Sequence, residues 1–479
     1  MAIATKDKFP TKNPLFCLLQ YTLLLLLILQ ISSCKKDSNA TPATPVFVPD
    51  SVISGKVIDS IGVGIANVIV QDSTGNVQFT NNNGEFSFQL KYRGVVLTPI
   101  KDHYVFTPIK MYVNGQSKNV TFTGKSTLID SLTTNEHQML NWLNNAQLAN
   151  GLIPSTDHGN QISLYDQALA ALAFISYTDY TRAERIFDFF NGRITAELTA
   201  GKGGFCQFRD LNGNPTGNHW LGDNAWLLLA LNNYVAVTGS TKYNNLIQQM
   251  NTWIRSLQDT DGGIWGGYDA SNVQIGKITE GIMDAFIAVS GYDNFHSNLL
   301  SYLKAQRWDA VNKCFISWPG NTQYYYALDN FSWGFGIFPN CPASLLTQAN
   351  MFRTTQTATG TGNSITGYCF DIDKDDVWLE GTGEMVVAYQ IAGNNLQANY
   401  YLSQMEKAII NSTVGTSLIG IPYASNLATG YGGGMLWQGA NTQPYLSSVS
   451  WYLFGKHQFD PFKAGRSKNI PTASMFWMN

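Results

Sequence analysis

The chain has 479 residues, a net charge of −3 and only 13% charged residues. So weak and slightly acidic a balance offers no electrostatic footprint for nucleic acid. Aromatic residues make up 13%, with 12 Trp and 23 Tyr; most should be core, but such a stock often supplies surfaces that stack on sugar rings.

The chain begins with the lysine-bearing "MAIATKDKFPTKNP", then the apolar run "LFCLLQYTLLLLLILQ", then "ISSC" ending at Cys34. This is the layout of a secretory signal over 1–34. A small-residue step before a cysteine resembles the bacterial lipobox, which implies lipidation at Cys34 and a lipoprotein held at the outer membrane, on its periplasmic or surface face. An uncleaved anchor is the alternative, since the run approaches spanning length. Residues 35–50 read as a Pro/Thr-rich tether. The body contains Cys206, Cys314, Cys341 and Cys369, too few for a disulfide framework and at no zinc spacing; sequence leaves their pairing open.

Residues 51–124 alternate with the period of strands. Runs such as "SVISGKVID", "GIANVIVQD", "GEFSFQL" and "GVVLTPI" are punctuated by Gly, Asn and Asp. A β-sandwich of six or seven strands is expected. The opening "ISGKVIDSIGVGIANVIVQD" and the close "NNNGEFSF" resemble carboxypeptidase regulatory-like domains, which implies a transthyretin-like, Ig-like spacer without catalysis.

From 128 to 465 the period is helical. Amphipathic segments ("NEHQMLNWLNNAQLA", "KYNNLIQQMNTWIRSLQ", "SLLTQANMFRTTQ") alternate with segments apolar on nearly every side ("LYDQALAALAFISY", "GDNAWLLLALNNYVAV", "DVWLEGTGEMVVAYQIAG"). Six such pairs form an internal repeat, and exposed and buried helices in alternation close naturally into a mainly α (α/α)6 barrel, with a superhelix of repeats as the fallback. Residues 466–479 read as a tail.

Each buried helix opens with a polar group in the same register: Asp166, Asp223, Glu280, Asp329, Asp376 with Glu380, and finally Ser447 and Ser448. Any one acid there could be a helix cap. Recurrence around a closed barrel would instead gather them at one funnel, and Asp376 and Glu380, about one turn apart, are expected to point into it together. Glu380 is the preferred acid and Asp223 its partner, with Glu280, Asp376 and Asp166 as the other candidates. Trp220, Trp265, Trp333, Trp378 and Trp437 stand beside the acids or in the joining loops as candidate sugar-stacking surfaces. His219, Tyr165 and Asp329 complete the candidate binding set. "DIDKDD" begins like a calcium loop but has Asp376 where glycine is needed and Thr382 where the bidentate glutamate belongs. "DKDD" also fits the acid motif of terpene cyclases, on four letters alone. No metal or cofactor is expected.

"YDQALAALAF", "GDNAWLLLAL", "DGGIWGG", "TEGIMDAF" and "DVWLEGTGEM" together resemble the six-hairpin glycosidase superfamily. The resemblance implies a monomeric carbohydrate-active enzyme. Hydrolysis by paired carboxylates is the first reading; a polysaccharide lyase, or a non-catalytic glycan-binding lipoprotein, are the alternatives.

Overall fold

The computed structural model describes residues 51–478 apart from 60–61, 63, 91–93, 102–103, 115–118, 127–131 and 428–441. The signal segment, Cys34, the tether and Trp437 lie outside the described residues.

Eight strands make up the N-terminal part. β1 (Ser51–Ile58), β4 (Glu85–Leu90), β6 (Tyr104–Thr107) and β8 (Val120–Ser126) form one sheet in the order β4-β1-β8-β6. β2 (Ile69–Asp72), β3 (Val77–Phe79), β5 (Gly94–Ile100) and β7 (Met111–Asn114) form the other in the order β3-β2-β5-β7. β1 and β8 run parallel, and every other pairing is antiparallel. Alternate residues of β5 are buried, as the two-residue period requires, and Val95 and Leu97 join Val57, Val70, Val113 and Phe122 in one core shared by both sheets. β7 has no counterpart among the runs read as strands from the sequence.

The rest is helical. Six outer helices, α1 (Thr134–Ala146), α3 (Tyr180–Asn191), α5 (Asn244–Ser256), α7 (Asn294–Tyr302), α9 (Ser344–Gln348) and α11 (Asn395–Glu406), alternate with six inner ones. The inner helices are α2 (Leu164–Ser176), α4 (Leu221–Thr238), α6 (Thr279–Ala288), α8 (Asp329–Ile337), α10 (Leu379–Ile391) and α12 (Leu446–His457). Each inner helix packs against the next, and α12 packs against α2, so the ring closes. The two kinds differ in composition for a physical reason. An outer helix buries one stripe, as α5 does with Leu246, Met250, Trp253 and Ile254. An inner helix has a neighbour on each side, an outer helix behind and the barrel axis in front, so all thirteen residues of α2 are buried.

One outer helix departs from expectation. The segment read as "SLLTQANMFRTTQ" is helical only at its start. From Arg353 the β-branched "RTTQT" leaves the helix and pairs as Arg353–Thr357 with Ser364–Tyr368 in an antiparallel hairpin.

The connections are asymmetric. Turns from an inner helix to the next outer one are short (177–179, 239–243, 289–293, 392–394), whereas those from outer to inner are long (192–220, 257–278, 303–328, 349–378). All long loops therefore surround the N-terminal mouth of the inner ring. The opposite end is stopped by the C-terminal segment. The Phe462 ring lies 5.6 Å from that of Trp226 and 6.4 Å from that of Trp451. Asn233 Nδ2 donates to Pro461 O at 2.8 Å, and Arg466 Nε donates to Gly336 O at 2.7 Å. The β part touches this same end, where Asn67 Nδ2 donates to Val237 O at 2.6 Å.

Candidate active site

The inner-ring register brings carboxylates together. Asp166 and Asp223 are third in α2 and α4, Glu280 and Glu380 second in α6 and α10, and Asp329 first in α8. In α12 the corresponding place is Ser447, whose hydroxyl donates to Glu380 Oε2 at 2.6 Å. Two further acids stand one turn deeper, Asp284 in α6 and Glu384 in α10. Sequence reasoning missed both. The signal was present, since each lies four residues after a ring acid and so on the same helix face, but their apolar neighbours made them look like core.

Six of the seven carboxylates are buried; Glu280 is partly exposed. In each, one oxygen accepts no hydrogen bond: Asp166 Oδ2, Asp223 Oδ2, Glu280 Oε2, Asp284 Oδ1, Asp329 Oδ1, Glu380 Oε1 and Glu384 Oε1. Buried polar oxygens are seldom left bare, so seven together set this mouth apart from the apolar rest of the barrel.

Burial in low dielectric raises these acids, and their neighbours add to it. Burial pushes Asp166 up to about 7. Asp223 is raised well above the usual range by burial and then by the charge of Asp166. Burial, then Glu280 and Asp329, do the same to Asp284. Asp329 is raised by burial and then by Glu280, and Glu384 by burial and then by Asp329 and Glu380. Burial lifts Glu380 to about 8 against the pull of the Ser447 and Tyr165 hydroxyls. Glu280 is raised by burial too, but donors oppose it: Ser317 Oγ, Asn330 Nδ2 at 3.1 Å, and the charge of Arg307. Burial thus raises every acid of the ring, and Glu280 is the one whose rise is opposed by Ser317, Asn330 and the Arg307 charge together.

A cavity of 80 Å³ opens among them. Asp223, Glu280, Asp284 and Asp329 contribute to its wall, with Tyr165, Trp220 and Trp333 of the predicted binding set. Trp226, Trp318, Tyr324 and Phe370, not singled out as wall residues from sequence, complete the aromatic part. The Trp226 ring lies 5.4 Å from Tyr165 and 5.3 Å from Trp333, forming a floor above Phe462. Among the described residues, no Lys, Arg or His lines the cavity.

Other predicted residues stand elsewhere. Asp376 does not share a face with Glu380: it precedes α10, and its Oδ1 lies 3.4 Å from Cys369 Sγ. Asp371, Asp373 and Asp375 surround the same sulfur at 3.7–4.0 Å, and burial, then Asp373, raises Asp371 to about 7. Cys369 with Asp371 and Asp373, and Cys369 with Asp375 and Asp376, are the places among the described residues where three metal-ligating atoms meet within 4.8 Å. Trp378 is buried off the cavity, edge-on to Phe370 at 5.4 Å, and the ring leaves Gly381 no room for a Cβ. Trp265 is half-buried off the cavity, with the Lys277 ammonium 4.7 Å from its ring centre. His219 is held by Gly204 O, 2.8 Å from Nδ1, and stays behind the wall. The four body cysteines are free thiols.

No protein-family model matches the chain, and no curated protein matches it. Solved structures similar in fold include a glycosidase variant in complex with glucose, 13% identical over 69% of this chain and 96% of that one, with a TM-score of 0.49. A family 76 glycoside hydrolase from a bovine Bacteroides thetaiotaomicron strain is 11% identical over 85% and 93%, with a TM-score of 0.46. Cellobiose 2-epimerase from Bacillus thermoamylovorans B4167 is 12% identical over 67% and 97%, also at 0.46.

Proposed function

We propose that the chain is a glycoside hydrolase acting on an oligo- or polysaccharide by paired carboxylates. The observation that carries this is the ring itself: seven acids, each with a bare oxygen, four of them in the wall of an aromatic-lined cavity. Hydrolysis needs one carboxylic acid to protonate the leaving glycosidic oxygen and one carboxylate to attack the anomeric carbon or activate water. Acids whose surroundings push them apart mark those roles. Glu280, whose rise is opposed by its donors and the Arg307 charge, is assigned the carboxylate role. Asp223, raised by burial and by Asp166, is the acid that keeps its proton. Both face the cavity, whereas Glu380 does not line it. A uronate-cleaving lyase would want a basic wall, and among the described residues this wall is acidic and aromatic.

The test is incubation of the protein without residues 1–34 with a glycan panel, following reducing ends. Glu280→Gln and Asp223→Asn should each lower turnover by about 100-fold or more with the fold retained. A folded protein that releases no sugar from any glycan, or variants at near-native rates, would sink the assignment. The same chain is proposed to be an exported lipoprotein anchored at Cys34. Cys34→Ser should then release it from membranes, and unchanged retention would favour an uncleaved anchor.

A further inference from the structure

Resting on the reading of the cavity as a sugar subsite, we propose that the sugar it takes carries a free, protonated amine: the substrate is a hexosamine residue rather than a neutral or acidic one. Four carboxylates share the wall of one small cavity, each with an oxygen that accepts nothing. Among the described residues, no cationic side chain lines it. Arg307, whose charge acts on Glu280, sends its own N–H groups to the carbonyls of Lys277 and Gln306. A buried cluster of carboxyls either keeps its protons or gives one up to a cation brought from outside.

A metal ion does not fit this need. Among the described residues, no three ring carboxylates bring their oxygens within 4.8 Å of one another; the groups that do lie around Cys369. The spacing suits a larger organic cation. The rest of the wall agrees, because Trp220, Trp226, Trp318 and Trp333 line it, and indole rings attract ammonium as well as sugar C–H surfaces. The volume of 80 Å³ holds about six waters at 10–15 Å³ each, which is on the order of one pyranose ring. Depth supplies the position. Asp284 lies one turn below Glu280, and Gly222 stands over it without a side chain. A Cβ at Gly222 would come 3.0 Å from Asp284 Oδ2 and 3.1 Å from Trp220 Nε1, so glycine keeps that carboxylate reachable.

Attraction between unit charges at contact, in a site of effective dielectric about 20, is on the order of a thousandfold in affinity. Desolvating the ammonium and taking the proton off the carboxyl that receives it use up most of this, leaving an expected preference of about tenfold. Calorimetric titration at neutral pH with glucosamine, galactosamine and mannosamine, against glucose, galactose, mannose and N-acetylglucosamine, measures it. At least one amine should bind about tenfold more tightly than both its parent sugar and the acetylated form. Asp284→Asn should remove that preference. Equal affinity of amine and parent sugar in the unmodified protein, or no binding of any amine, overturns the proposal whether or not the variant folds. If neutral glycans are cleaved with no amine preference, the hydrolase reading stands and this proposal falls. If the amine preference holds and no glycan, glucosamine oligomers included, releases reducing ends, this proposal stands and the hydrolase reading falls.

Discussion

Replacing Asp166 by Asn tests the electrostatics of the ring without depending on a substrate. In the native barrel its carboxyl is raised from 3.8 to about 7 by burial. A raised acid holds its proton in the folded state after the unfolded chain has released it. Its contribution is therefore fully present below about pH 4 and is lost as pH rises through about 7. A shift of about three units corresponds to roughly 4 kcal/mol of penalty once pH exceeds both values, of which about 1.5 kcal/mol has accrued by pH 5. Between pH 5 and pH 8 the wild-type protein thus loses about 2.5 kcal/mol at this one site. Asparagine keeps the size and cannot ionise, so the variant escapes that loss. At roughly 2 °C per kcal/mol for a large domain, the fall in Tm between these two pH values should be about 5 °C smaller in Asp166→Asn. Differential scanning calorimetry in matched buffers reads this directly. Parallel Tm–pH curves for the two proteins would show that Asp166 ionises normally and that the ring is not the desolvated site described.

Two further outcomes are expected. Glu380→Gln, off the cavity wall, should reduce turnover on a cleaved glycan less than Glu280→Gln does; an equal or greater loss in kcat/KM would return the acid's role to Glu380. Phe462→Ala should destabilise the barrel by about 3–5 kcal/mol in urea unfolding, as for other buried aromatic truncations, and a cost below about 1 kcal/mol would mean the barrel end is not sealed by this ring.

The architecture was legible because its signal repeats. Six alternations of an amphipathic with an all-apolar helix leave few ways to bury the second kind, and the contacts close the ring that this pattern implies. The register of Asp166, Asp223, Glu280, Asp329 and Glu380 was legible for the same reason. What failed was local. Asp376 looks like part of the α10 helix when counted in residues, but the chain enters the helix only at Leu379, so its side chain belongs to the loop around Cys369. Trp265 and Trp378 carry the right composition for a rim, yet Lys277 covers one and Gly381 and Phe370 enclose the other, and neither neighbour could be inferred from spacing. Asp284 and Glu384 were hidden in hydrophobic runs, where i, i+4 geometry should have outweighed composition.

The closure of the ring also orders the birth of the molecule. The first inner helix, α2, finds one of its two flanking partners only in α12, nearly 300 residues later, and the axis is stopped by a phenylalanine that follows still further on. Until the ribosome has delivered that last stretch, α2 and α4 present apolar sides with nothing to cover them. Contacts between such distant positions are slow to form and leave sticky intermediates. A frameshift or stop codon after α10 would therefore give an unsealed arc suited to chaperones and proteases, instead of a slightly weaker enzyme, and loss of a short stretch beyond α12 would be far more damaging than its length suggests.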